Sequence, residues 1–520
     1  MSLRHRINRA LLVLLLTAHS LCFVFTAFAH VRQEVPANSK NTQQVLTEAQ
    51  SQLAHGKLDD AETSLWTVLT ANPNDEKALT LLGTIRNRQQ RYAEAEALFR
   101  RVLQINAKSV MAHRGLGAAL IAESRDDDAI NQFKAALDLA PEDLGIGVEL
   151  AHFYASRGEF QQALSVLQAI PQTRFPVEAI PVKAASLLAV GRSADTAHLA
   201  EEAKSSPSAE LDLAEVFVNA KLPDHALRCL EFAAAGLKRR PARFYYVQGR
   251  AFHAQGLAAA AMSSLKRALA SDPKSADTLV AIAELDSEQN QHADAVTTLQ
   301  EANALSPDSV VVLRHLVDEA VKARNGKVAL SAASALAARS ADHADDLYLA
   351  GAAMLENNSS GASSAFEKYV ALRTDNPKAW LALGMAYVQQ HRFADARAPL
   401  ERSITLDPNL AEAEYQLGVV AKNQGTSEEA AQHFQRAIVL QPRHAKALWS
   451  LGNLYLLSGN LQKAQENLQA AEAIEPNSVQ TQYDLGLVLS KLGKPELARE
   501  HLDRYRKLKA ALPPAERDAQ

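Results

Sequence analysis

The chain has 520 residues, 47% hydrophobic and 22% charged, with a formal net charge of −4; this excludes a chain disordered throughout. Aromatics are only 6%, glycine (21) and proline (19) are sparse, and alanine is plainly the commonest residue, which points to helices and away from a turn-rich all-β fold. Removing the arginines of the first 29 residues leaves 52 basic against 59 acidic residues, so the body is mildly acidic and lacks the clustered cations of a nucleic-acid binder.

Residues 1–29 come first. Arg4, Arg6 and Arg9 precede an apolar run from Ala10 to Phe28, which closes on Ala27-Phe28-Ala29. A charged start, an apolar centre and a small-x-small end form an export signal, with cleavage after Ala29 expected. The competing reading is an uncleaved membrane anchor, since the run is about the ~20 residues needed to cross a bilayer. Cys22 follows Leu21 rather than a small residue, which argues against lipidation. No second apolar stretch approaches that length, so the body reads as soluble and exported, periplasmic or secreted, or held at the inner membrane if the signal stays. Residues 30–41 read as a linker.

From residue 42 onward the sequence repeats. Alanines recur at Ala61, Ala95, Ala129 and Ala163, then from Ala226 through Ala261, Ala295, Ala329, Ala362, Ala396, Ala430 and Ala464 to Ala498, at spacings of 33 to 35. Twelve residues earlier stands a glycine (Gly83, Gly117, Gly249, Gly384, Gly418, Gly452, Gly486) or an alanine, and twelve later often a proline such as Pro73, Pro408 or Pro442. Each unit is predicted to be two antiparallel helices. In the unit from Ala411, the first runs to about Ala421, Gly425 ends the turn, and the second spans about Glu428 to Leu440. Gly418 and Ala430 are small because helices crossing at 8–10 Å need small contact residues. One hairpin cannot bury its own apolar face, so units must stack. Fourteen units are expected, starting near residues 42, 76, 110, 144, 177, 207, 242, 276, 310, 343, 377, 411, 445 and 479.

In chain order, 42–170 holds the N-terminal units. Residues 171–207, with Pro171, Pro176 and Pro181, form a degenerate unit and a soft joint, where Pro176 or Pro181 opens a helix. Middle units fill 208–376, including the basic run Lys238 to Arg243, which reads as a solvated loop. Residues 377–512 are the most regular; a helix from Pro495, rich in Arg and Lys, caps them. Residues 513–520 are a tail. Asp126-Asp127-Asp128 read as caps of a second helix rather than a cation site. Cys229 reads as a packing residue, the sixteen histidines as dispersed surface groups, and Gly115-Leu116-Gly117 as part of a helix.

The pattern Trp380…Leu383-Gly384…Tyr387…Ala396…Pro408, repeated as Leu448…Leu451-Gly452…Tyr455…Ala464…Leu468…Ala471…Pro476, resembles the tetratricopeptide repeat (TPR). The resemblance implies an all-α fold: an α-solenoid, a right-handed superhelix of about 14 helix-turn-helix repeats. It implies that first helices line a concave groove into which the fifth residue of each unit points. That position reads Leu381, Tyr415, Trp449 and Tyr483 in the last four units. Met385, Val419, Asn453 and Leu487 follow one turn on, and Lys378, Glu412, Lys446 and Gln480 stand at the second position. The candidate binding residues are therefore Tyr415, Trp449, Tyr483, Asn453, Lys446 and Val419, with repeat stacking as the competing role for the aromatics. The family's carboxylate clamp needs Lys where Trp449 stands, so an acidic chaperone tail is not the expected partner.

No catalytic motif, metal-ligand spacing, phosphate loop or cofactor fingerprint stands in the sequence, and the repeats leave no room for a catalytic domain. The expected function is an exported non-enzymatic scaffold that binds a protein or peptide in its groove and organises a cell-envelope complex, with no cofactor and no nucleic acid. The alternative is a membrane-tethered accessory subunit of a polysaccharide or appendage export machine.

Overall fold

The computed structural model describes residues 39–512, so the expected export signal and the tail 513–520 lie outside the described residues. Within that span the chain forms 28 α-helices and no strand. They alternate as first and second helices of hairpins. The unit read from Ala411 consists of Ala411–Asn423 and Ser427–Leu440, within two residues of the expected bounds. It is followed by Ala445–Leu457 with Leu461–Ile474, and by Val479–Lys491 with Pro495–Ala511. The fold is an all-α solenoid of stacked helix hairpins. Its described residues fall into two compact units divided between Ser271 and Asp272.

Local chemistry sets the helix ends. Several first helices begin on polar caps: Asp75 accepts the Ala78 N–H at 2.9 Å, and Ser206, Ser275 and Ser478 accept in the same way. The reversal inside each hairpin is made by one residue in the left-handed region. Among the described residues fourteen have this conformation, one per expected unit. Seven are glycines, from Gly56 to Gly493, and seven are not, among them Gln90, Lys221, Arg324 and His391.

The crossing point follows the expected pattern with one addition. The residue sixteen positions after the small slot lies directly over it. A Cβ on Gly418 would stand 2.5 Å from the Phe434 ring; on Gly83, 2.8 Å from Phe99; on Gly452, 2.7 Å from Leu468. Phe99, Phe133, Phe366 and Phe434 are fully buried there. The marker alanines Ala95, Ala129, Ala396 and Ala430 have no exposed surface.

The segment 171–207 is irregular, in the first compact unit. The helix before it, Phe160–Gln168, has 9 residues where most second helices have 14. Two short 3₁₀ turns follow, Gln172–Arg174 and Val177–Ala179, and Pro181 sits in the first turn of Ile180–Ala189. In place of a second helix come the 3₁₀ turn Ser193–Thr196 and a five-residue helix, Leu199–Ala203. Ile180, Ala184, Leu187, Leu199 and Ala203 are nonetheless buried in one core cluster with Leu164, while Ala179 and Val182 of the same segment belong to the cluster that begins at Leu46. Asp126, Asp127 and Asp128 occupy the first turn of Asp126–Leu139, at its positive end; Asp128 pairs with Arg125, Asp126 and Asp127 with Arg157. Among the described residues, no helix is long and apolar enough to cross a membrane.

Candidate binding face of the C-terminal repeats

Helical spacing places the second, fifth and ninth residues of a first helix on one side. In Ala445–Leu457 these are Lys446, Trp449 and Asn453. Trp449 is half-buried and rests on the cluster of Leu456, Leu468 and Leu485, with Leu487 beside it. Its indole N–H donates to Asp484 Oδ2 at 2.9 Å, and Asn453 Nδ2 donates to the same oxygen at 3.0 Å. Asn453 Oδ1 in turn accepts from Lys422 Nζ at 3.1 Å, and that ammonium lies 5.5 Å over the Trp449 ring. One polar chain thus ties Lys422, Asn453, Trp449 and Asp484 together across three successive first helices.

Burial governs its electrostatics. Asp484 is 5% exposed, and desolvation raises its carboxyl above the ordinary aspartate value against the pull of Asn453, Trp449 and Lys422. Desolvation also lowers Lys422 below an ordinary lysine, with Asp484 opposing. Two donors on one oxygen fix the indole plane, so Trp449 presents a pre-set face with little rotamer freedom to lose on contact. The amide of Asn453 is engaged at both ends and is not free for a carboxylate ligand.

The other expected residues divide. Tyr415 packs 5.8 Å from Phe434 and 5.0 Å from the His444 ring, and burial raises its hydroxyl pKa. His444 is itself buried, accepts the Ala447 N–H at Nδ1, and meets Glu412 at 3.3 Å through Nε2. Burial alone would raise Glu412, but the bonds from His444 and Gln416 and the charge of Lys446 hold its carboxyl below the ordinary range. Val419 is half-buried against the Phe434 cluster. Tyr415 and Val419 thus sit in the packing between units, Lys446 is exposed, and Tyr483 is 42% exposed with its ring 5.0 Å from Tyr505 of the last helix. The structure joins Trp449 to Asn453 and leaves Tyr483 apart from them. Lys422 and Asp484 were missed in the sequence. Their partners lie 31 and 35 residues away, close to one repeat, so a search for polar pairs at the repeat period would have found them.

Similar ties occur elsewhere. Arg314 pairs with buried Asp346 in the second compact unit, and Arg114 with Glu149 in the first. The basic run is partly spent: Arg243 binds Asp212 and Glu215, and Arg240 stacks 5.1 Å from the Phe244 ring. Among the described residues no group of histidine, cysteine or acidic side chains is placed to hold a metal ion.

Family models described as tetratricopeptide repeat match residues 46–110, 211–276, 350–411 and 415–479, and a second such model matches 120–177 and 252–316. No curated protein matches the sequence. Among solved structures the chain is similar to MamA (26% identity over 31% of this chain and 94% of that one, TM-score 0.29). It is similar to YrrB, titled a TPR protein with an unusual peptide-binding site (20% identity, 36% and 97% covered, TM-score 0.32). It is also similar to the APC/C hetero-tetramer Cut9-Hcn1 (16% identity, 91% and 95% covered, TM-score 0.42).

Proposed function

Because this chain belongs to the tetratricopeptide repeat family, we propose that it is a non-enzymatic scaffold that binds an extended protein segment along the first-helix face of residues 411–491. The observation that carries the reading is the Lys422–Asn453–Asp484–Trp449 chain. Stacking alone requires apolar contact between units; it does not require a buried carboxylate that orients an indole with two hydrogen bonds. Rigid amphipathic aromatics with a fixed polar edge are the residues that anchor partner segments. The apolar start of the sequence, closed by Ala27-Phe28-Ala29, supports an exported chain serving an assembly in the cell envelope.

The test is a photo-reactive phenylalanine analogue in place of Tyr483, in cells that produce the full chain. A discrete cross-linked protein is expected, and it should be lost when Trp449→Ala is added. Cross-linking only to a neighbouring copy of the chain, or adducts unchanged by Trp449→Ala, would remove the face from consideration. N-terminal sequencing of the chain recovered from the envelope addresses the location: His30 as first residue means cleavage, and an intact start in the membrane fraction means a tethered subunit.

A further inference from the structure

Buried acids in this chain are clamped. Asp484 has two donors, Glu319 receives bonds from Ser287, His292 and Lys322, and Asp346 is gripped by Arg314. Glu210 is different. It lies in Pro207–Asn219, has no exposed surface, and neither carboxyl oxygen has an N–H or O–H donor. Its polar neighbour is the thiol of Cys229, on the facing helix Pro223–Gly236 and equally buried. A carboxylate cannot stay ionised in such a place without a counter-charge or water.

The charged groups around it are few. From Leu199–Ala203 comes Glu201, and from Pro223–Gly236 come Arg228 and Cys229. Arg228 is already engaged, with Nη2 at 2.5 Å from Glu201 Oε1, and this pair ties the five-residue helix to the hairpin 207–236. Lys183, on Ile180–Ala189, is turned to Glu202 at 3.7 Å and to the Phe175 ring. Arg243, on Ala242–Ala254, is taken by Asp212 and Glu215 of Glu210's own helix.

We propose that Glu210 is a proton-operated latch at the irregular repeat: protonated, it lets the hairpin 207–236 close against Leu199–Ala203; ionised, it opens that contact. The proton leaves to bulk water. The new carboxylate then has two ways to be satisfied. It draws Arg228 from Glu201, which cuts the tie to the short helix, or the hairpin admits water. Both loosen the segment where the unit lacks a full second helix.

Desolvation pushes the Glu210 carboxyl up to about 7, with Glu201 adding to the rise and Cys229 and Arg228 opposing it. A folded-state value above the unfolded one means the contribution to stability is complete below about pH 4.5 and is lost as pH rises through about 7. The same desolvation, with Glu210 adding, raises the thiol of Cys229, so it is not a nucleophile while the hairpin is closed.

The experiment is hydrogen exchange with peptide resolution on the full chain at pH 6 and pH 8, corrected for intrinsic exchange chemistry. Linkage predicts that opening of 199–219 increases roughly tenfold across that interval, while 76–105, which contains no histidine, serves as the unchanged reference. In Glu210→Gln, a neutral group of the same shape, the step should vanish and protection should stay high at both pH values. If that variant does not fold, Glu210→Met serves the same purpose. Alkylation of Cys229, read as the ratio of wild type to variant at each pH, should rise in parallel. A wild-type chain without the step, or a step that persists in the neutral variant, overturns the latch.

Discussion

Gly418→Ala is the sharpest test of how the hairpins cross. In an isolated helix this change is favourable, since alanine is about 1 kcal/mol better than glycine. Here the added methyl would lie 2.5 and 2.6 Å from two ring carbons of Phe434 and 3.1 Å from a third. Phe434 is fully buried with Leu451 and Leu454 against it, so the ring cannot swing away and the helices must separate. Overpacking of this kind costs about 1–3 kcal/mol, which outweighs the helix gain in most of its range. Gly147→Ala is the control: its new methyl would meet Ile170 at 3.7 Å, ordinary contact, so the helix term stands alone and stability should rise by about 1 kcal/mol. A stacked array lacks a single melting transition, so the readout is local hydrogen exchange. A loss of 1–2 kcal/mol is a roughly 5- to 30-fold faster opening. It should be confined to 411–457, with 76–139 unchanged. Equal stabilisation by both alanines would show that the crossing has slack and that glycine is there for another reason.

Pro399 stands inside Phe393–Leu406, where its nitrogen cannot donate to the Asp395 carbonyl; the corresponding residue of the preceding unit is Ala365. Pro399→Ala should therefore slow exchange in 393–406, the regained bond and the relieved ring clash, about 3 kcal/mol together, exceeding the small void; faster exchange there would mean the proline ring is needed for packing. Tyr415→Ala should destabilise its hairpin by about 3 kcal/mol because it empties a site against Phe434 and His444, whereas Tyr483→Ala should leave exchange unchanged; if the two behave alike, the division between packing and exposed aromatics is wrong. Asp484→Asn should make the 445–491 region gain stability relative to wild type as pH rises through the folded carboxyl's raised value, because a carboxyl raised by burial gives up stability across that rise; a pH-independent difference between the two would show that desolvation does not govern the site.

What could be read from the sequence is what repeats. Gly418, Ala430 and Phe434 announce their contact because the same types return every 34 residues, and a helix crossing allows few alternatives at that point. The left-handed turn was legible at Gly425 but not at Gln90 or Arg324, where backbone geometry overrides side-chain preference. Non-repeating features stayed hidden. Proline at 399 breaks a helix rule that packing around a buried ring tolerates. The truncated second helix at 193–203 has no periodic signal, since a sequence that departs from its own repeat specifies only the departure. The link from Trp449 to Asp484 depends on which units are adjacent and on depth from solvent, and neither is encoded at one position. Glu210 reads as one more helix surface acid until the fold is seen to close over it.

The left-handed residue in every hairpin also bears on how such a chain changes length. Each reversal is made by the backbone at the same place in the unit, whatever the side chain. A crossover between the turn at Gln424-Gly425 and the turn at Ser458-Gly459 would join the first helix of one unit to the second helix of another with the bend preserved. The product would be one unit shorter or longer, yet each surviving helix would meet a neighbour of the expected width. A gene built this way can be edited by unequal recombination at its turns, with loss or gain of whole binding faces and little disturbance of the core.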